Sequence, residues 1–126
     1  VALCREEQFV IWDCVTVFLT NLIIEAKAEG KNEAEIEELI LRRIKVMLTR
    51  LEGCCGCLVI VSNEVGLGIV PEYPLSRTFR DLTGRVNQIL AKKADKVYFV
   101  IAGIPVEIKG NGPDTTNHNR CESGLE

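Results

Sequence analysis

The chain has 126 residues, 47% hydrophobic and 26% charged, which is globular composition with room for one domain and excludes a disordered chain. Fifteen basic against eighteen acidic residues give a net charge of −3, which argues against a general nucleic-acid binder. The longest apolar stretch, Phe9 to Ile24, is broken by Asp13, Thr16, Thr20 and Asn21 and is too short and too polar to span a bilayer.

Val1 to Gln8 carries no helix or strand pattern, no secretory leader and no initiator methionine. The abrupt opening points to an N-terminal part of the fold that is missing here. Phe9–Asp13 is an apolar run ending in a carboxylate, and its β-branched and aromatic residues predict a strand buried on both faces. From Val15 to Glu29, Phe18, Leu19, Leu22, Ile23 and Ala26 recur at helical spacing, and Gly30 is a stop. Asn32 can cap a second helix reaching about Leu51, with Ile36, Leu39, Ile40, Ile44, Met47, Leu48 and Leu51 as its apolar stripe.

A second strand is predicted over Leu58–Val61, followed by a long loop from Ser62 to Leu75. A third helix starts near Ser76 with Phe79, Leu82, Val86, Ile89 and Leu90 on one face. Lys96–Ala102 reads as a third strand, apolar on both faces, and Val106–Lys109 as a short edge strand. Strand, polar loop, helix and strand from Leu58 to Val106 make a βαβ unit, whose loop lies where open α/β sheets bind ligands. Residues 110–126 have no periodicity and are expected to be a disordered tail, leaving residues 1–109 as a single α/β nucleotide-binding region.

Several groups could do chemistry. Asp13, at a rigid strand end, suits a hydrated Mg²⁺ beside nucleotide phosphates, or else caps the helix that follows. Asn63 and Glu64, after the second strand, should share its sheet edge and could position a water, a hydroxyl or the metal's surroundings; a turn-rich surface loop is the alternative. Arg77 and Arg80 lie in the first turns of the third helix, and guanidinium forks suit phosphate oxygens. Arg85 reads better as an i,i+4 partner of Asp81 on a solvated face.

Cys54 and Cys57 have zinc-ligand spacing, but no second Cys-x-x-Cys completes a site, and His118 and Cys121 sit in the tail. Reduced thiols are expected, and with them a cytoplasmic protein.

The segments V-S-N-E-V-G-L-G-I-V-P-E (61–72), R-T-F-R-D-L-T-G-R-V-N-Q-I-L-A (77–91) and V-Y-F-V-I-A-G-I-P (97–105) resemble the C-terminal part of the bifunctional adenosylcobinamide kinase / adenosylcobinamide-phosphate guanylyltransferase family. W-D-C-V-T-V-F-L-T-N-L-I (12–23) is similar to that family's acidic strand end and following helix. The resemblance covers about Phe9 to Lys109. It implies a P-loop NTPase-like α/β fold, a mostly parallel sheet with flanking helices, whose N-terminal part is absent.

It also implies a cobalamin-biosynthesis enzyme that phosphorylates adenosylcobinamide from ATP or GTP. The same enzyme then transfers GMP from GTP to adenosylcobinamide phosphate through a guanylyl-histidine. Homotrimers are implied as well. By position Asp13 matches the acidic residue that contacts GTP and Mg²⁺, and Asn63 and Glu64 match the family's N-E-V-G segment near the active site.

The family's glycine-rich G-x-x-x-x-G-K-S loop and its guanylylated histidine have no counterpart in this chain, and His118 is no substitute. The expectation is therefore a catalytically incomplete chain exposing an unpaired strand edge and an apolar sheet face. The alternative is a non-catalytic α/β binding or assembly module that lost its P-loop.

Overall fold

The computed structural model describes residues 9–51 and 56–110. In chain order these form strand β1 (Phe9–Asp13), helices α1 (Val15–Ala28) and α2 (Glu33–Leu51), strand β2 (Cys57–Val61), helix α3 (Pro74–Lys93) and strands β3 (Val97–Ile101) and β4 (Ile104–Lys109). Contacts divide the chain into two units, Val1–Val86 and Asn87–Glu126. The cysteine pair at 54 and 55 and the tail from 111 onward, with His118 and Cys121, lie outside the described residues.

In the first unit β1 and β2 pair in parallel, from Phe9 opposite Cys57 to Asp13 opposite Val61. Parallel neighbours need a long crossover, and α1 with α2 supplies it. The two helices meet through the stripes the sequence predicts. Val15, Leu19, Leu22, Ile23 and Ala26 are buried on α1, and Ile36, Ile40 and Ile44 are wholly buried on α2. Each such aliphatic side chain contributes about 1.5–3 kcal/mol relative to exposure, so these two rows are the main hydrophobic contribution of the unit.

The connection between the helices is closed at both ends by backbone chemistry. Gly30 has φ +78, the left-handed conformation that glycine adopts without a Cβ clash. Its N–H donates to the Lys27 carbonyl at 3.0 Å, and the Lys31 N–H donates to the Ala26 carbonyl at 3.0 Å. That pair of bonds is a Schellman stop. Asn32 then accepts from the Glu35 N–H at 3.1 Å through Oδ1, while Glu35 accepts from the Asn32 N–H at 2.8 Å, a reciprocal capping box.

α3 begins at Pro74, two residues ahead of the expected Ser76. Proline suits that first position because its φ is already helical and its missing N–H would have no partner there. Leu82 and Val86 are buried on it, and Thr83, also buried, donates its hydroxyl to the Phe79 carbonyl at 2.8 Å. Arg85 does not pair with Asp81 as expected; it reaches Glu37 on α2, and Asp81 instead lies 3.7 Å from Arg80.

The second unit contains β3 and β4 as an antiparallel hairpin with Ile101 opposite Ile104. Ala102 (φ 51) and Gly103 (φ 79) form its two-residue turn, both in the left-handed region that matches the twist of a tight hairpin. Among the described residues, β1–β2 and β3–β4 are each a two-stranded sheet. The return strand is also longer than expected and contains Pro105, tolerable where its missing N–H interrupts no second ladder.

The expectation of strands buried on both faces does not hold for β1. Phe9 and Ile11 are 60% and 69% exposed, while Val10 and Trp12 are half-buried and Trp12 stacks edge-on against Phe18 of α1 at 5.4 Å. Helix covers one face, and the other has no cover among the described residues. Among those residues, no helix is long and apolar enough to cross a membrane.

Candidate functional site at the strand ends

The parallel register brings the C-terminal ends of β1 and β2 side by side, with Asp13 opposite Val61. Asp13 is the exposed last residue of β1 and does not cap α1. Cys14 occupies the cap position with extended backbone (φ −136, ψ 158) and makes no side-chain cap bond. Of the two readings of Asp13, the helix cap is thus set aside, and its carboxylate is left at the sheet edge.

Thr16, in the first turn of α1, is only 6% exposed. A hydroxyl buried to that degree must be hydrogen-bonded. Its Oγ1 accepts the Asn63 side-chain amide Nδ2–H at 2.8 Å and lies 3.1 Å from Cys14 Sγ. The loop after β2 is thereby tied to the turn after β1, across 47 residues of sequence. Asn63 is held against α1, the helix that follows Asp13.

Glu64 and Arg80 are not drawn into that cluster by hydrogen bond or ion pair. The Glu64 carboxylate turns back within its own loop, where Oε1 accepts the Gly66 N–H at 2.6 Å. Arg80 lies beside Asp81, its side chain mostly covered. Arg77 braces the loop: its Nη1 donates to the carbonyls of Pro71 at 3.1 Å and Glu72 at 2.7 Å. Between these anchors Leu67, Ile69, Val70 and Tyr73 are exposed.

Thr16 is the residue that sequence reasoning passed over. The signal was present: position 16 adjoins Val15 and precedes Leu19 in the buried stripe, and a threonine there requires a polar partner. The chemistry available at this edge is an exposed carboxylate, a carboxamide of fixed position and a glycine-bearing loop stiffened by Glu64. No cluster of three or more potential His, Cys, Asp or Glu metal ligands occurs among the described residues. A single carboxylate nevertheless fits Mg²⁺, which retains waters and takes phosphate oxygens as its remaining ligands.

Comparison with known families matches residues 2–108 to the family described as cobinamide kinase / cobinamide phosphate guanyltransferase. Similar proteins include the bifunctional adenosylcobalamin biosynthesis protein CobU of Salmonella typhimurium, 42% identical over 107 residues that make up 82% of this chain and 59% of that protein. CobU of Escherichia coli is 41% identical over 106 residues, 81% of this chain and 59% of the relative. The bifunctional adenosylcobalamin biosynthesis protein CobP of Pseudomonas aeruginosa is 36% identical over 101 residues, 78% of this chain and 51% of its own length. The chain therefore spans between half and three-fifths of the length of these curated relatives.

Proposed function

The chain belongs to the cobinamide kinase / cobinamide phosphate guanyltransferase family, and we propose that it supplies the C-terminal part of a bifunctional transferase of cobalamin biosynthesis. In this reading the whole enzyme phosphorylates adenosylcobinamide from ATP or GTP and then moves GMP from GTP onto the phosphate so formed. Residues 1–109 are the C-terminal part of one nucleotide-binding domain, in a cytoplasmic protein that assembles as a homotrimer.

The observation that supports the reading best is that β1 and β2 end side by side in parallel, with Asp13 opposite Val61, and that Asn63 just beyond β2 is bonded to Thr16 of the helix following Asp13. Phosphoryl and nucleotidyl transfer depend on positioning and on charge stabilisation more than on covalent work by the protein. Asp13 would hold Mg²⁺, which when bound draws charge from the phosphate oxygens. Asn63 would orient a donor group beside it. Glu64 braces its own N-E-V-G turn through the Gly66 N–H, and Arg80 offers a guanidinium for phosphate if it leaves Asp81.

No Gly-x-x-x-x-Gly-Lys-Ser or -Thr run occurs in the 126 residues, so the phosphate-cradling loop is not supplied by this chain. We accordingly expect the 126-residue chain alone to be inactive.

The test is to assay adenosylcobinamide phosphorylation and GMP transfer in the full-length protein that carries this chain, in its Asp13→Asn variant and in the 126 residues alone. Asp13→Asn should lower both activities by about a hundredfold or more at unchanged melting temperature. Full activity in Asp13→Asn would remove Asp13 from the site. A full-length protein that converts neither substrate would leave the non-catalytic binding module.

A further inference from the structure

A guanidinium can spend its N–H groups on an anion or on backbone carbonyls. At Arg77 the second use is observed. Its Nη1 carries two N–H groups and donates to the carbonyls of Pro71 at 3.1 Å and Glu72 at 2.7 Å. The Arg77 main-chain N–H donates to the Tyr73 carbonyl at 3.2 Å. One half-buried residue in the first turns of α3 therefore holds three successive carbonyls, 71 to 73.

The segment it holds is stiff in its own right. Pro71 and Pro74 have φ fixed by their rings, and each biases the residue before it, Val70 or Tyr73, towards extended backbone. Arg77 thus fixes the direction in which a stiff stem leaves α3. The other end of the same loop is fixed too, by Asn63 Nδ2 on Thr16 Oγ1 at 2.8 Å and by Glu64 Oε1 on the Gly66 N–H at 2.6 Å. Leu67, Ile69 and Val70 lie between the two holds and are exposed.

We infer that Arg77 is a positioning residue for the strand-end site: by clasping the 71–73 carbonyls it pre-forms the loop that starts at Asn63. A ligand then binds without the entropic cost of ordering that loop. Arg77 touches no ligand atom in this assignment; it acts through the loop. Only the ligand's identity rests on the proposed nucleotide site, because the clasp is read from the loop itself.

Two variants of the full-length protein that carries this chain separate the roles. Arg77→Met keeps the apolar stem and removes the donors. Arg77→Lys keeps a cation and a donor on a shorter stem. Three quantities are measured in each: backbone ¹⁵N order parameters at Leu67–Val70, Glu72 and Tyr73, the affinity for Mg²⁺·GTP by titration, and the melting temperature.

In Arg77→Met the order parameters at Glu72 and Tyr73 should fall from about 0.85 to below about 0.6, with the strands and helices unchanged. Mg²⁺·GTP should bind about five- to thirtyfold more weakly, at a nearly unchanged melting temperature. Arg77→Lys should lie between Met and wild type in loop order and in affinity alike. An ordered loop with weakened binding in Arg77→Met would overturn the assignment in favour of direct ligand contact. So would an Arg77→Lys that restores affinity while its loop stays as loose as in Met. A loosened loop with wild-type affinity, or a loss of order and melting temperature across the whole domain, would also overturn it. A wild type that fails to bind Mg²⁺·GTP would overturn the nucleotide reading, while the order parameters would still decide whether Arg77 clasps the loop.

Discussion

Glu64 Oε1 sits 2.6 Å from the Gly66 nitrogen, and a Cβ built on residue 66 would meet the same oxygen at 2.8 Å. The glycine is needed there for close approach. Because the atom in the way is the far end of a flexible side chain, Gly66→Ala should displace the carboxylate at little cost to folding, within about 0.5 kcal/mol for a surface site. If the loop serves the strand-end site, GMP transfer by the full-length protein should fall while the melting temperature holds. Undiminished transfer would show that the Glu64 turn is decoration. A second residue-scale expectation concerns Glu29. The Lys31 ammonium, first by hydrogen bond and then by charge, holds the Glu29 carboxyl below its ordinary value of 4.5, and Arg43 adds to this. A carboxyl depressed on folding adds stability above its unfolded pKa and loses it as pH falls through the folded value. Lys31→Ala should therefore move the Glu29 titration up towards 4.5, as read by NMR. The acid-unfolding midpoint should hardly move, because the pair is solvated and screened.

The two helix ends between α1 and α2 test how well local sequence rules carry over to elements. Gly30 at φ +78 and the Asn32–Glu35 capping box make separate contributions. Gly30→Ala should cost about 1–2 kcal/mol through left-handed strain, and Asn32→Ala about 1 kcal/mol through the lost cap. Thermal melts of the single and double variants would show it, with less than additive loss because the sites share one short connection. Both positions were legible beforehand, since glycine after an apolar stripe and N-x-x-E before the next are chemical signals at fixed spacing. The β3–β4 turn was not. Ala102 at φ 51 occupies a place where asparagine or glycine is the usual marker, so Ala-Gly gave no warning of a two-residue hairpin. Ala102→Asn should relieve the strain and stabilise the hairpin by roughly 1 kcal/mol, seen as slower amide exchange at Ile101 and Ile104. Faster exchange would mean that the turn is held by something other than its own backbone.

At the scale of the whole molecule, the candidate site was legible in part. Asp13 and Asn63 could be placed on one edge because parallel strands must end on the same side. Thr16 could not be joined to them, because a contact across 47 residues depends on the crossover helices packing as they do. Burial was the larger miss. Apolar residues at every position of β1 before Asp13 say that both faces suit an apolar neighbour; they do not say where that neighbour comes from. Phe18 meets Trp12 on one face, while Phe9, Ile11, Val59 and Val61 stand exposed on the other. Ile11 lies opposite Val59 in the register, so the exposed residues form a continuous patch and not scattered points. A patch of that kind beside unpaired strand edges promotes association. The 126-residue chain should therefore show a mass by light scattering that rises with concentration. Ile11→Lys should suppress the rise with little change in melting, since position 11 is 69% exposed and packs against little. Val59→Thr supplies a milder check should the lysine disturb the strand pair. A chain that stays monomeric at every concentration would sink the idea that this face seeks cover. Association that persists in both variants would move the contact elsewhere, with the exposed β3–β4 hairpin residues Val100, Ile104 and Ile108 next to be tested.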